Sequence, residues 1–243
     1  MAIPMFLAMT GTEMQEIHKN PTNTAWMACH FSPYGTGLSN RPDTLPPQAM
    51  LILNDRTPVC GHDPALIAQQ LTECVTDLDC RAVLLDFQRK GEPETAAIVD
   101  TIVQTCPCPV AVSDGYAENL NCPVFLPPVP PNIPLAEHLA PWKGREIWLE
   151  IALDGLEITV TSDGTHTTAL SLPQPGMPVH REATLHCHYD MTIGEDFIRF
   201  QLFRTPEDVD ALIKDAERFG VTHTVGLYQE FSNYHIPYKK PLR

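Results

Sequence analysis

Basic residues are scarce in this chain of 243 residues: 16 Lys and Arg stand against 30 Asp and Glu, a formal net charge of −14. A surface of that sign repels phosphate backbones and anionic headgroups, which argues against nucleic acid and anionic membrane as main partners. Long apolar runs are lacking too, and none reaches the roughly 20 residues a spanning helix needs. The apolar start, Met1 to Thr10, has no basic flank and carries Pro4, so it reads as a first strand rather than a secretory signal. Gly35-Thr36-Gly37 is too short for a nucleotide fingerprint, and no Walker or Rossmann pattern follows it. Cys106-Pro107-Cys108 lacks the two-residue spacer of redox and zinc motifs and reads as structural. Nothing calls for a cofactor. Internal repeats and low-complexity tracts are absent. The 8 cysteines need not pair. Cys29, Cys74 and Cys187 lie in apolar or periodic segments, where a reduced thiol acts as a small hydrophobe. The expected compartment is the cytoplasm.

What is present alternates. Strand-like segments run from Pro4 to Thr10, Ala25 to Pro33, Met50 to Arg56, Ala82 to Phe87, Pro109 to Asp114, Cys122 to Leu126 and Glu146 to Leu153. Thr12-Glu-Met-Gln15 suggests a capping box after the first. Asp63-Pro64 caps a helix with an apolar face of Leu66, Ile67, Leu71, Cys74 and Val75, and Glu94 to Val103 forms another. The segments around 115–121 and 135–143 are poorly patterned, and Pro127 to Pro134 is too rich in proline for a helix. Asp154-Gly155 and Ser162-Asp163-Gly164 are hairpin signals, so residues 154–203 read as antiparallel β. Thr205-Pro206 with Asp208 opens the best-marked helix, Gly220 closes it, and Thr222 to Tyr228 is an eighth strand. The expectation is an α/β fold: one (β/α)8 TIM barrel over residues 1–243, with a small antiparallel β insertion, 154–203, after strand 7.

The fourth strand, Val83-Leu84-Leu85-Asp86-Phe87-Gln88, ends abruptly in polar groups. A wholly apolar run is what a strand buried on both faces needs, and barrel enzymes keep their sites at the strands' C-terminal ends. Asp86 and Gln88 share a strand face. They can contact a ligand, or they can simply satisfy each other. Asn54 and Arg56 end the third strand on one face, where Arg56 can clamp an anionic group or pair with Asp86. His30, Ser32 and Tyr34 follow strand two, and Ser113, Asp114 and Tyr116 follow strand five. Asp114 is a candidate acid, although a turn beside Gly115 also explains it. Glu230, beyond strand eight, is another possible acid. His186-Cys187-His188, with Asp190 in phase, offers a zinc-like cluster if His180 or His166 joins it; paired strand histidines are also ordinary polar surface. Of the tryptophans, Trp26 and Trp148 fall within strands and read as core, whereas Trp142 is the candidate stacking surface.

This arrangement resembles glycoside hydrolase family 18, the chitinase-like barrels, whose fourth strand carries Asp-x-x-Asp-x-Asp-x-Glu. In that alignment Asp86 takes the place of the last Asp and Gln88 that of the catalytic Glu, with Arg81 and Leu84 at the earlier acids, a degenerate motif. The β insertion, with Tyr189-Asp190 near its end, and the closing Val225-Gly226-Leu227-Tyr228, with Tyr228 where the family has a Trp beneath the sugar, extend the likeness. The resemblance implies a carbohydrate-active barrel. Family chemistry uses the substrate's own acetamide as nucleophile and a protonated acid at the leaving oxygen; a carboxamide cannot supply that proton.

The expected function is therefore binding, with possible cleavage, of a glycan or other small-molecule ligand. Asp86 and Asp114 are the candidate acids, and Gln88, Arg56, Asn54, Tyr116, Tyr228 and His30 the contacts. A non-catalytic sugar- or protein-binding barrel and a metal-dependent hydrolase using His186 and His188 are the alternatives.

Overall fold

The fold was obtained as a computed structural model, which describes residues 3–16, 23–89, 91–153, 155–170 and 180–232. Eight parallel strands form a ring: β1 (Met5–Met9), β2 (Thr24–Phe31), β4 (Met50–Asn54), β5 (Ala82–Asp86), β6 (Val110–Ser113), β7 (Val124–Leu126), β8 (Ile147–Ile151) and β14 (Val221–Leu227). β1 pairs in parallel with β14 on one side and β2 on the other, which closes the barrel. β3 (Leu38–Ser39) lies antiparallel against the end of β2. The expected (β/α)8 barrel is the observed fold.

Strand alternation divides the core in two. Phe6, Ala8, Met50, Ile52, Ala82, Leu84, Ala111, Phe125, Trp148 and Val225 fill the barrel interior. Their neighbours Leu51, Leu53, Val83, Leu85 and Phe87 face outward, against α2 (Pro64–Asp77) and α3 (Pro93–Thr105), which contribute Ile67, Leu71, Ile98 and Ile102. Burial on both faces is why β4 and β5 carry no polar residue until Asn54 and Asp86. The helices open where the sequence marks them: Asp63 accepts a hydrogen bond from the Ala65 amide, and Thr205 and Asp208 form a full capping box on α6 (Pro206–Ala216). The first cap sits two residues earlier than the Thr12 pattern suggests. β1 ends at Met9, so Thr10 is the first residue free to cap, and its amide and hydroxyl both donate to Glu13 ahead of α1 (Gly11–Glu16). The poorly patterned segments hold single turns, α4 (Asp114–Ala117) and α5 (Leu135–Leu139).

Between β8 and α6 lies a five-stranded antiparallel sheet of β9 (Gly155–Thr161), β10 (Gly164–Leu170), β11 (His180–Glu182), β12 (Cys187–Ile193) and β13 (Phe197–Phe203). Asp154 and residues 171–179, part of the expected insertion, lie outside the described residues. The segment 183–186 is not strand: it is the turn joining β11 to β12, and His186 adopts a left-handed φ of 50° there.

Arg204, buried just after β13, ties this sheet to the barrel. Its guanidinium donates to the carbonyls of Val129 (2.5 Å), Pro130 (3.4 Å), Leu185 (3.4 Å) and His186 (3.2 Å). Planar donors suit several converging carbonyls, and a buried acceptor left without a donor costs about 1–3 kcal/mol. Arg204→Leu is therefore expected to lower stability by roughly 3 kcal/mol or more, measured as a shift in urea unfolding; a loss below about 1 kcal/mol would show that water replaces the guanidinium at those carbonyls.

Candidate functional site at the barrel mouth

A cavity of about 570 Å³ opens at the C-terminal ends of the strands. Five of the residues singled out in the sequence line it: His30, Asn54, Arg56, Asp86 and Gln88. The structure brings them together because each lies at or just past a strand end, in or beside the inward phase. Asn54 and Asp86 are register partners across β4 and β5. The pattern inside β5 is Ala82 and Leu84 inward, Val83 and Leu85 outward, which sends Asp86 inward and Phe87 into the outer core.

Gln88 donates from Nε2 to Asp86 Oδ1 at 2.6 Å. The two side chains do satisfy each other, and they do so inside the cavity. Asn54 donates to the Met27 carbonyl (2.9 Å) and accepts from the Arg56 amide (3.1 Å), which fixes its rotamer. Arg56 makes no ion pair with Asp86; its guanidinium has no hydrogen-bond partner among the described residues and stands exposed at the rim. A 2.9 Å bond from the Phe87 amide to Ser113 Oγ, and a 3.0 Å bond from that hydroxyl to the Leu85 carbonyl, hold the end of β5 against β6. Ser113 is thus spent on the backbone.

The other candidates stand apart from the lining. Asp114, half-buried, opens α4. Tyr116 donates its hydroxyl to the Arg89 carbonyl and meets Phe87 edge-on. β14 ends at Leu227, which lines the cavity, whereas Tyr228 opens α7 (Tyr228–Phe231) and packs on the outer core. Glu230 accepts from the Leu153 amide (2.9 Å). Trp142 is half-buried beside the Arg145 guanidinium before β8 begins.

Three charged residues of the lining were not singled out as ligand contacts in the sequence: Asp55, Arg89 and Glu150. Asp55 is buried, and its two carboxylate oxygens accept from the Gln88 amide (3.0 Å) and the Arg89 amide (2.7 Å). It clamps the turn that presents Gln88. Arg89 returns a 3.2 Å bond to the Asp55 carbonyl. Glu150 interrupts the apolar run of β8, which was its signal.

The histidines of the insertion are engaged singly. His188 Nδ1 lies 2.6 Å from Asp208, and His186 Nε2 lies 3.2 Å from Asp215, both carboxylates on or next to the same face of α6. Because β12 begins only at Cys187, the two imidazoles do not share a strand face. No group of three metal-ligating side chains assembles among the described residues. A second hollow, of about 420 Å³, lies near Trp26 and Pro42, with Asp43 its one carboxylate among the described residues. The mouth is the better site because several polar groups converge there.

Burial pushes the Asp86 carboxyl above the usual carboxylate range; the Gln88 hydrogen bond opposes that rise, and the Asp55 charge adds to it. A carboxyl whose pKa is higher folded than unfolded favours the native state below its unfolded value of about 3.9, and that advantage is lost as pH rises through the folded value. Asp86→Asn is therefore expected to stabilise the protein at neutral pH, with the gain vanishing near about pH 3. Urea unfolding at the two pH values measures it; equal stability of both proteins at neutral pH would show that the cavity does not penalise the charge.

No family model matches the sequence, and no curated protein does. Solved structures do match. The spore cortex-lytic enzyme SleL of Bacillus cereus superposes with a TM-score of 0.59 at 10% identity, over 92% of this chain and 70% of that one. A chitinase from Chromobacterium violaceum gives 0.60 at 9% identity, over 93% of each chain. A doubly substituted family 18 chitinase from Cycas revoluta, in complex with (GlcNAc)4, gives 0.56 at 9% identity, over 92% and 94%. At such identities the likeness establishes architecture, and it agrees with the ring of strands: the chain has the barrel fold shared by family 18 chitinases and spore cortex-lytic enzymes.

Proposed function

We propose that the protein binds a glycan in the cavity at the barrel mouth, and that residue 88 serves there as a hydrogen-bonding group rather than as the proton donor of the chitinase-like barrels. The observation that carries this reading is the Asp86–Gln88 pair, joined at 2.6 Å within a cavity large enough for sugar rings. A carboxamide offers two donors and an acceptor but does not titrate. Beside Asn54, His30 and the exposed Arg56, it suits hydroxyls and an acetamide. The bound (GlcNAc)4 of one structural neighbour supports the ligand class. Asp114, which lies outside the lining, does not replace the missing acid in this reading.

Three buried thiols, Cys29, Cys80 and Cys187, support a reducing compartment such as the cytoplasm. Burial pushes Cys29 and Cys80 up to about 12 and Cys187 up to about 11, the behaviour of inert, packed sulfur.

Titration calorimetry with (GlcNAc)4 tests the reading. Binding is expected, with Asn54→Ala and Gln88→Ala each weakening it about 5-fold, the worth of roughly 1 kcal/mol per hydrogen bond. Absent binding, or affinity indifferent to both substitutions, would overturn it.

A further inference from the structure

Glu150 has no counterpart in the motif that Gln88 disrupts, and its position follows from strand phase. In β8, Trp148 is fully buried in the barrel interior. Glu150, two residues on, takes the same phase about 6.6 Å nearer the C-terminal end. The ladder runs from β5 through β6 and β7 to β8, by way of Leu84–Ala111, Ser113–Phe125 and Phe125–Trp148. Strands in an eight-stranded barrel are tilted, so keeping level means climbing about one residue per strand. Three strands on from Asp86, that climb runs from Trp148 to about Ile151, and the inward residue nearest that level is Glu150. The two carboxyl groups therefore stand at similar height on different arcs of the ring, and both line the one cavity. A carboxylate amid Ile147, Trp148, Leu149 and Ile151 is costly to desolvate. Glu150 lines the mouth, where a ligand can reach it.

We propose that Asp86 and Glu150 form an acid–base pair that hydrolyses the glycan held at the mouth, by a route that needs no carboxylate at position 88. This rests on the glycan reading above. Cleavage without help from the substrate's acetamide calls for two carboxyl groups flanking the glycosidic bond, one protonated and one ionised. Asp86, which burial disfavours as an anion, gives its proton to the glycosidic oxygen as the bond from that oxygen to the anomeric carbon breaks. Glu150 takes a proton from a water whose oxygen bonds to the anomeric carbon. One glycan and one water yield two shorter sugars. Asp86 is left ionised and Glu150 protonated, and exchange with solvent resets both. Gln88, hydrogen-bonded to Asp86, orients the acid; Asp55 holds the Gln88 turn in place.

The test uses the whole protein with (GlcNAc)4 as the probe, following binding by calorimetry and cleavage by mass spectrometry in ¹⁸O-water. Cleavage with ¹⁸O in the new reducing end is expected, with a bell-shaped pH profile of kcat/KM. Glu150→Gln should lower kcat by at least about 100-fold, leave the affinity within about 3-fold, and remove the acid limb of the profile. Asp86→Asn should remove the alkaline limb. His30, Asp55, Arg56 and Arg89 also face this cavity. His30 contributes an imidazole to that lining, so both limbs must stay in place in His30→Gln. Formate should restore part of the activity of Glu150→Ala, which a merely structural role would not allow. Binding without cleavage, or a Glu150→Gln protein that cleaves at the native rate, overturns the pair and leaves the glycan reading standing. Failure to bind (GlcNAc)4 sinks both.

Discussion

β1 hydrogen-bonds to β2 on one side and to β14 on the other, and the chemistry of the mouth depends on that closure. A closed ring of eight strands has no free edge, and its interior is just wide enough for side chains to fill. Along β4, β5 and β8 the inward residues are apolar until the ring opens at their C-terminal ends. Met50 and Ile52 precede Asn54; Ala82 and Leu84 precede Asp86; Trp148 precedes Glu150. Polar side chains enter this interior where the strands meet water, so they converge on one cavity without any dedicated motif.

Such convergence has value only if the rim holds still, and here polar side chains spend themselves on main-chain groups. Asp55 accepts from two successive amides of the Gln88 turn, Ser113 bridges Phe87 and Leu85, and Asn54 holds Met27 and Arg56. Further out, Arg204 gathers carbonyls from the β7 outlet and the β11–β12 turn. These contacts leave Asp86 in a site that resists its charge. A site arranged for an anion's comfort would have offered it amides; Asp55 receives those, and Asp86 receives one amide hydrogen bond from Gln88.

The barrel was legible because strand periodicity and helix caps are local signals, and the insertion because turns such as Ser162-Asp163-Gly164 announce hairpins. The mouth was legible as far as phase could be trusted. Asn54, Arg56, Asp86 and Gln88 follow strands with a clear end, and they meet. Tyr228 shows the limit: β14 stops one residue short of it, and a single step reverses the face a side chain takes. His186 fails for a related reason, since a left-handed residue breaks the alternation that would have set it beside His188. Glu150 was available to the same reasoning. It was hidden by its strand's length of apolar sequence, which reads as core unless the inward phase is fixed first by Trp148. Asp55 was hidden differently, because its role is to hold amides that are distant in sequence, and no local pattern records them.

Each strand of a closed parallel barrel delivers an inward position near the same height, and the backbone is indifferent to which of them carries an acid. Replacing a carboxyl by a carboxamide on β5 alters the hydrogen bonds at one arc of the rim and leaves the ring's packing intact, because Gln88 lies beyond the last apolar layer. A carboxylate on β8 is likewise carried by the layer below it, here Trp148. A carboxamide at one strand end and a carboxylate at another are thus structurally independent features. The end of the fourth strand reports on one arc of the mouth, while polar side chains can be carried at any point of the circumference.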